Sequence, residues 1–440
     1  MLVAENILWV LVLIGIMILV HELGHFIAAR YFDVKVEAFS FGFGPRLFGF
    51  RKGETDYRVS AILFGGYVKM AGEQPGDEGT DDPRGFLAKP RWQRLIIAVA
   101  GPFMNILLAV GLLTVLYMFK YQRVSDADLK PVVGHVMPDS AAAKAGIRDG
   151  DLIVKIDDKV NPAWDDIDLK EVTNAYRPLS VTVERNGQRI EMEVTPILDE
   201  RSGVGYAGWS SRGDIQFGNI NSGFPASKAG LRKGDLIKSA NGQQIHSVAK
   251  FHEVVRKSGG KPVIIELVRG DKPMTYAVTP VYAKLDGEAR WVIGAYVEQR
   301  FHLVTTRLSF PAALNESVRQ NTKGASLIFN FLTGIVERRM SARNIDGPIR
   351  IAQLSGEAAR EGPAAFVMLM SMVSLNLAIF NLLPIPILDG GVILLLLIEM
   401  LMRRDMSMAV KETVFKLGFV FIMMLVAFVI YNDIAKILPG

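Results

Sequence analysis

Long apolar runs punctuate the chain at residues 7–29, 95–119, 363–388 and 417–431. A transmembrane helix needs about 20 mostly apolar residues, so the pattern predicts four spanning helices. The last is short and is extended by Lys416, whose stem can lie along the bilayer while its charge reaches water. The first run has no basic residue ahead of it and continues past position 20, so it reads as a retained span rather than a cleaved leader. The third run stops at Asp389 and resumes over 392–398. Between the second and third runs the chain is polar, with short apolar stretches of strand length.

The polar middle repeats itself. Ala143-Lys144-Ala145-Gly146-Ile147-Arg148-Asp149-Gly150-Asp151-Leu152-Ile153 answers Ser227-Lys228-Ala229-Gly230-Leu231-Arg232-Lys233-Gly234-Asp235-Leu236-Ile237 at an offset of 84 residues. The offset persists at Val183-Glu184-Arg185 against Leu267-Val268-Arg269, and at Thr195-Pro196 against Thr279-Pro280. Two copies in phase mean a duplicated domain rather than a solenoid, which needs more units. Each copy predicts a turn, a short strand, a helical stretch and a strand-turn-strand, with turns at Asn186-Gly187 and Arg269-Gly270-Asp271. The pattern resembles the permuted PDZ domains of bacterial envelope proteases. Residues 311–340 then predict one amphipathic helix or a pair, with Leu327, Ile328, Phe331, Leu332 and Ile335 on one side, suited to packing or to a membrane surface.

Basic residues orient the spans. Arg30, Lys35, Arg46, Arg51, Lys52 and Arg58 follow the first span, with Arg91 and Arg94 just ahead of the second. Arg403, Arg404 and Lys411 lie between the third and fourth. The positive-inside rule puts these loops in the cytoplasm and both termini and the repeat outside it. The balance of 50 Lys and Arg against 45 Asp and Glu gives a net charge of +5, which these loops account for without nucleic acid. A 50% hydrophobic content over 440 residues fits a membrane domain with a soluble insert.

Cysteine is absent, which excludes disulfides, thiolate metal sites and a cysteine nucleophile. Only six histidines exist, and two of them stand in His21-Glu22-Leu23-Gly24-His25, inside the first apolar run. On a helix, positions i and i+4 share a face, so both imidazoles can bind one zinc ion, with Glu22 placed as general base. Ionisable groups at bilayer depth are costly and mark function. The four remaining histidines lie in the polar middle, which points to a carboxylate as third ligand.

Asp389 is the only acidic residue between Glu361 and Glu399. It reads as that third ligand, as the cap of a helix beginning at Gly390, or as both. Pro384 and Pro386 break the helix just before it, as is tolerated where backbone lines a polar cavity. Asn376 and Asn381 precede the break, suited to interhelical hydrogen bonds or to holding substrate backbone or a developing oxyanion. Residues 57–70 predict strand, turn at Gly65-Gly66, strand. Beside the metal site, Gly65, Gly66, Tyr67, Val68 and Lys69 would offer an edge to an unwound substrate by main-chain pairing, or form a plain structural hairpin.

Together these residues resemble the site-2 protease family of intramembrane zinc proteases, in its bacterial form with tandem PDZ domains. The resemblance rests on the HELGH segment, Gly42-Phe43-Gly44-Pro45, residues 64–70, Ala100-Gly101-Pro102 with Asn105, the two repeats, Gly347-Pro348-Ile349, and Asn381-Leu382-Leu383-Pro384 leading to Leu388-Asp389-Gly390. It implies one zinc ion per chain on His21, His25 and Asp389, with Glu22 catalytic. It also implies cleavage of single-span membrane proteins such as anti-sigma factors and remnant signal peptides. The expected fold is a polytopic α-helical membrane protein with four transmembrane helices, a membrane-associated β-hairpin and an inserted tandem of two α+β PDZ-like domains. Its borders fall at 1–126, 127–210, 211–300, 301–362 and 363–440. The PDZ-like pair binds peptide C-termini or excludes bulky substrates. Two other classes compete: an inactive membrane scaffold presenting the repeats, and a metal transporter, which would show more spans and paired inverted repeats.

Overall fold

The computed structural model describes residues 2–73, 82–125, 130–199, 202–285, 288–341 and 347–437. The chain divides into two compact units. One contains Met1–Tyr121, Thr306–Phe329 and Ile345–Ile437; the other is mainly Gln122–Thr305, with Asn330–Asn344. The expected border at 126/127 lies outside the described residues.

In the first unit, four helices are long and apolar enough to cross a membrane: Leu2–Tyr31 (α1), Arg91–Phe119 (α2), Pro363–Asn381 and Ala409–Ile434. The third ends seven residues earlier than its apolar run, because Pro384 and Pro386 cannot continue it. The chain turns over 382–388 and starts a new helix, Asp389–Met402. Gly390 and Gly391 permit that turn. A Cβ at Gly390 would strike the carbonyls of Leu382 and Leu383, and one at Gly391 the carbonyl of Ile385. The helix Phe310–Val336 buries Ala313 and Ser317 fully and Asn321 almost so, a small and polar stripe one helical turn apart. Ser317 Oγ donates to the Val110 carbonyl at 2.7 Å. The apolar stripe expected further along that helix stays half-exposed, with Leu327 at 39%.

Two strands, β1 (Val36–Lys52) and β2 (Thr55–Met70), make the sheet of this unit. Its order differs from the expected hairpin. Residues 66–70 pair antiparallel with 36–41, whose other flank carries 56–59; 46–52 pair with 55–60. The two arms of 57–70 therefore lie on opposite sides of residues 36–41 and do not pair with one another. Gly65-Gly66 is no hairpin turn, and residues 66–70 form an outer edge.

The second unit shows the duplication residue by residue. Strands Leu152–Ile156 and Leu236–Ala240, helices Trp164–Thr173 and Val248–Lys257, and hairpins Leu179–Arg185/Gln188–Val194 and Val263–Arg269/Lys272–Val278 are all offset by 84. The cores match in phase. Ile153, Ile156, Ile167 and Val181 are buried in one, and Ile237, Ala240, Phe251 and Ile265 in the other. The repeated aspartate has one job in both copies. Asp151 and Asp235, each 1% exposed, accept two bonds from Arg185 and Arg269 at 2.7 Å and one from the Arg148 or Arg232 amide. Each arginine also donates to the carbonyl of Gly146 or Gly230, locking the glycine turn to the hairpin.

Burial alone would raise the Asp235 carboxyl, yet Arg269 and the Arg232 amide hold it below the ordinary aspartate range. A depressed pKa contributes stability that stands at neutral pH and is lost as pH falls through the folded value. Asp235→Ala leaves the arginine and a turn amide unpaired, at a cost of about 3 kcal/mol. Hydrogen exchange in the full-length protein is expected to accelerate over 236–240 and 263–269. Unchanged protection there would deny the pair its structural role.

Candidate metal centre

Helix periodicity places His21 and His25 one turn apart on α1, with ring centroids 4.9 Å apart. α2 packs closely against that face. A Cβ at Gly24 would overlap the Ala100 carbonyl, and one at Gly101 would overlap Nε2 of both histidines. Small residues at a helix crossing allow such close approach. His25 Nδ1 donates to the Ile97 carbonyl at 2.7 Å, which leaves its Nε2 with a free lone pair. His21 Nδ1 faces the Asn105 side chain at 3.2 Å.

The new helix that starts at Asp389 brings in the third donor. Its N-cap is Leu388, so Asp389 lies in the first turn and is not the cap. Its carboxylate oxygens stand 3.1 Å from His21 Nε2 and 3.4 Å from His25 Nε2, and the two Nε2 atoms are 3.2 Å apart. Tetrahedral ligands on bonds of about 2.0–2.1 Å lie roughly 3.3 Å from one another. The three donors therefore hold the spacing that one zinc ion requires. Two imidazoles and a carboxylate with a fourth position open toward a cavity are the donor set of a catalytic zinc site. Among the described residues this is the one cluster of its kind.

The cavity measures about 1050 Å³ and is bordered by all three donors and by Glu22. Glu22 is partly buried and accepts the Val68 amide N–H. Met70 N–H donates to Glu73 at 3.3 Å. Strand alternation thus turns the amides of Gly66, Val68 and Met70 away from β1. Gly65, Gly66, Tyr67, Val68 and Asn381 all line the cavity. Lys69 does not; its ammonium pairs with Glu37 at 2.8 Å. Asn376 is half-buried further back on its helix and does not border the cavity.

Sequence reasoning named neither Gly101 nor Asn105 as site residues, although both stood in a motif it quoted. It also passed over a buried ion cluster at the far end of the cavity. There Glu399, 1% exposed, accepts from Lys411 at 2.7 Å and from the Met406 amide at 2.9 Å, with Arg94 beside it. A glutamate inside an apolar run and an arginine at the start of a span were the available signals.

A family model described as peptidase family M50 matches residues 9–425. A regulator of sigma E protease from Salmonella typhi is 30% identical over 456 residues, covering 98% of this chain and all of that protein. A putative zinc metalloprotease from Xylella fastidiosa (strain Temecula1) is 30% identical, with 98% of each chain covered. Another putative zinc metalloprotease, from Treponema pallidum (strain Nichols), is 29% identical over 96% of this chain and 97% of its own.

Proposed function

Since this chain belongs to peptidase family M50 and is a multi-pass, zinc-dependent metalloprotease, we propose that it hydrolyses peptide bonds inside the transmembrane segments of single-span membrane proteins. The observation that carries this reading is the shared cavity: three donors at zinc spacing, a carboxylate between two of them and an outer strand edge, all on or against apolar helices.

His21, His25 and Asp389 would hold the zinc, which supplies Lewis acidity when bound, acidifying water and polarising a carbonyl. Glu22 takes the proton of the attacking water and returns it to the leaving amine. A transmembrane helix hides its peptide bonds, so it must be drawn out before cleavage. The outward amides of Gly66, Val68 and Met70 offer main-chain pairing to such an extended segment once it displaces Glu22 and Glu73 from two of them, with Tyr67 and Val68 beside it. Asn381 faces the same cavity and is suited to the substrate backbone or the developing oxyanion. Asn376 and Lys69 act at most on the flanks.

The substrates include membrane-anchored regulators such as anti-sigma factors and remnant signal peptides, in keeping with the Salmonella relative being a regulator of sigma E protease. The basic loops lie in the cytoplasm. The termini and the duplicated unit lie on the outer side of the bacterial cytoplasmic membrane. Residues 127–210 and 211–300 act as PDZ-like domains that take peptide C-termini or keep bulky substrates away.

Cleavage of a purified single-span substrate, with products mapped by mass spectrometry, tests the reading; bonds cut only outside the apolar segment would refute it. Proline at Val68 tests the strand edge. Its amide points away from β1, where proline is tolerated by a sheet, yet it removes a donor that now serves Glu22 and that a paired substrate would take over. Cleavage is expected to fall about tenfold or more for the lost hydrogen bond, with zinc retained and Val68→Ala near the parent. Unaltered cleavage by Val68→Pro and Met70→Pro would end the pairing idea.

A further inference from the structure

We propose that Asn105 is the positioning residue that sets the His21 ring for metal, through its side-chain oxygen rather than its nitrogen. This rests on the reading of His21 as a zinc ligand.

Asn105 is wholly buried, one turn beyond Gly101 on α2, so both face α1. Its Nδ2 is 3.2 Å from His21 Nδ1, while its Oδ1 is buried with no hydrogen-bond partner among the described residues. An orphaned buried acceptor is costly. The two ends of an amide have nearly the same shape, so a half-turn of the side chain exchanges them.

The chemistry of the site selects the exchanged orientation. His21 Nε2 points at Asp389 and at His25 Nε2, and it can bind a metal only with its lone pair free. A neutral imidazole then carries its proton on Nδ1, which needs an acceptor. An amide N–H aimed at Nδ1 would impose the opposite tautomer and cap Nε2 with hydrogen. The Asn105 oxygen removes that conflict and satisfies itself. His25 has the same arrangement, with the Ile97 carbonyl as its acceptor. α2 thus supplies an acceptor to each ring, one from the main chain and one from a side chain.

Asn105 is itself held in place. Its main-chain carbonyl accepts from Ser374 Oγ at 2.8 Å, and Ser371 Oγ donates to the Ala109 carbonyl at 2.9 Å. Both serines are buried on the helix Pro363–Asn381, so two hydroxyl clips fasten α2 at this level. Groups that orient a metal-bound histidine typically change metal affinity by 10–100-fold when lost.

The test is zinc affinity of the full-length protein, measured by competition with a chromophoric chelator. Asn105→Leu keeps the size and removes the acceptor; zinc is expected to bind about 10–100-fold more weakly. Asn105→Asp keeps an acceptor and loses the donor; it is expected to bind zinc at least as tightly as the parent. Leucine without effect, or aspartate as damaging as leucine, overturns the proposal. If the leucine variant fails to fold, the aspartate variant decides alone, and a tenfold loss there refutes the oxygen contact. Nitrogen-15 NMR of labelled histidine gives a second readout: the zinc-loaded parent should show His21 protonated at Nδ1, and protonation at Nε2 sinks the idea. His21→Ala separates the underlying reading, since stoichiometric zinc persisting in that variant would reject the ligand assignment whatever Asn105 does.

Discussion

Glu22→Gln is expected to abolish peptide cleavage while leaving the fold and the zinc content unchanged. Glutamine has the size and shape of glutamate, and its carbonyl oxygen can still accept the Val68 amide that Glu22 now accepts. His21, His25 and Asp389 keep their spacing because Glu22 is not one of the three clustered donors. What the amide cannot do is take a proton from water. Loss of a general base costs about 10²–10⁴-fold in rate. The comparison is single-turnover cleavage of a single-span substrate by parent and variant, with zinc measured on the same samples. In membranes, substrates should accumulate intact beside the variant. Turnover within a few-fold of the parent would remove Glu22 from the proton transfer.

Gly101→Ala is expected to empty the metal site without replacing any donor. In an ordinary helix interior this change is favourable by about 1 kcal/mol, because glycine is the poorer helix former. Here a Cβ would overlap Nε2 of both His21 and His25. Those atoms cannot retreat easily, since His25 is tethered to Ile97 and His21 is packed against Asn105. The variant should lose zinc and activity together while the helices remain. The effect should grow in Gly101→Val. Chelator competition and circular dichroism on the same preparation decide it. A Gly101→Ala protein with stoichiometric zinc would show that α1 and α2 stand further apart than this packing.

Features that depend on residues near in sequence were readable from the sequence. The spacing of His21 and His25 puts them on one helix face whatever surrounds them, because 3.6 residues make a turn. Hydrophobic length alone marked the four spans. The duplication at 84 residues put the central strand, the longer helix and the hairpin at matching borders in both copies, since each copy repeats the same turn glycines and core positions. The ends of elements were less legible. The third span stops at Asn381 rather than at the end of its apolar run, because proline geometry outweighs hydrophobicity there.

The amino-acid sequence by itself determined that this chain crosses a membrane, carries a histidine pair and glutamate on one helix, and repeats a domain. Only the tertiary structure decided what meets them. It brought the Asp389 carboxylate within 3.4 Å of both rings, inside the first turn of its helix rather than at the cap, and put Asn381 in the cavity but not Asn376. It turned the expected 57–70 hairpin into two arms flanking residues 36–41, with the amides of Gly66, Val68 and Met70 outward. It made Gly101 and Asn105 part of the site, through the absence of a side chain in one and a buried amide in the other. The physical reason is common to all of these. Local periodicity fixes which face of an element a residue occupies, whereas the partner across that face is fixed by packing between segments distant in the chain, and that leaves no periodic trace.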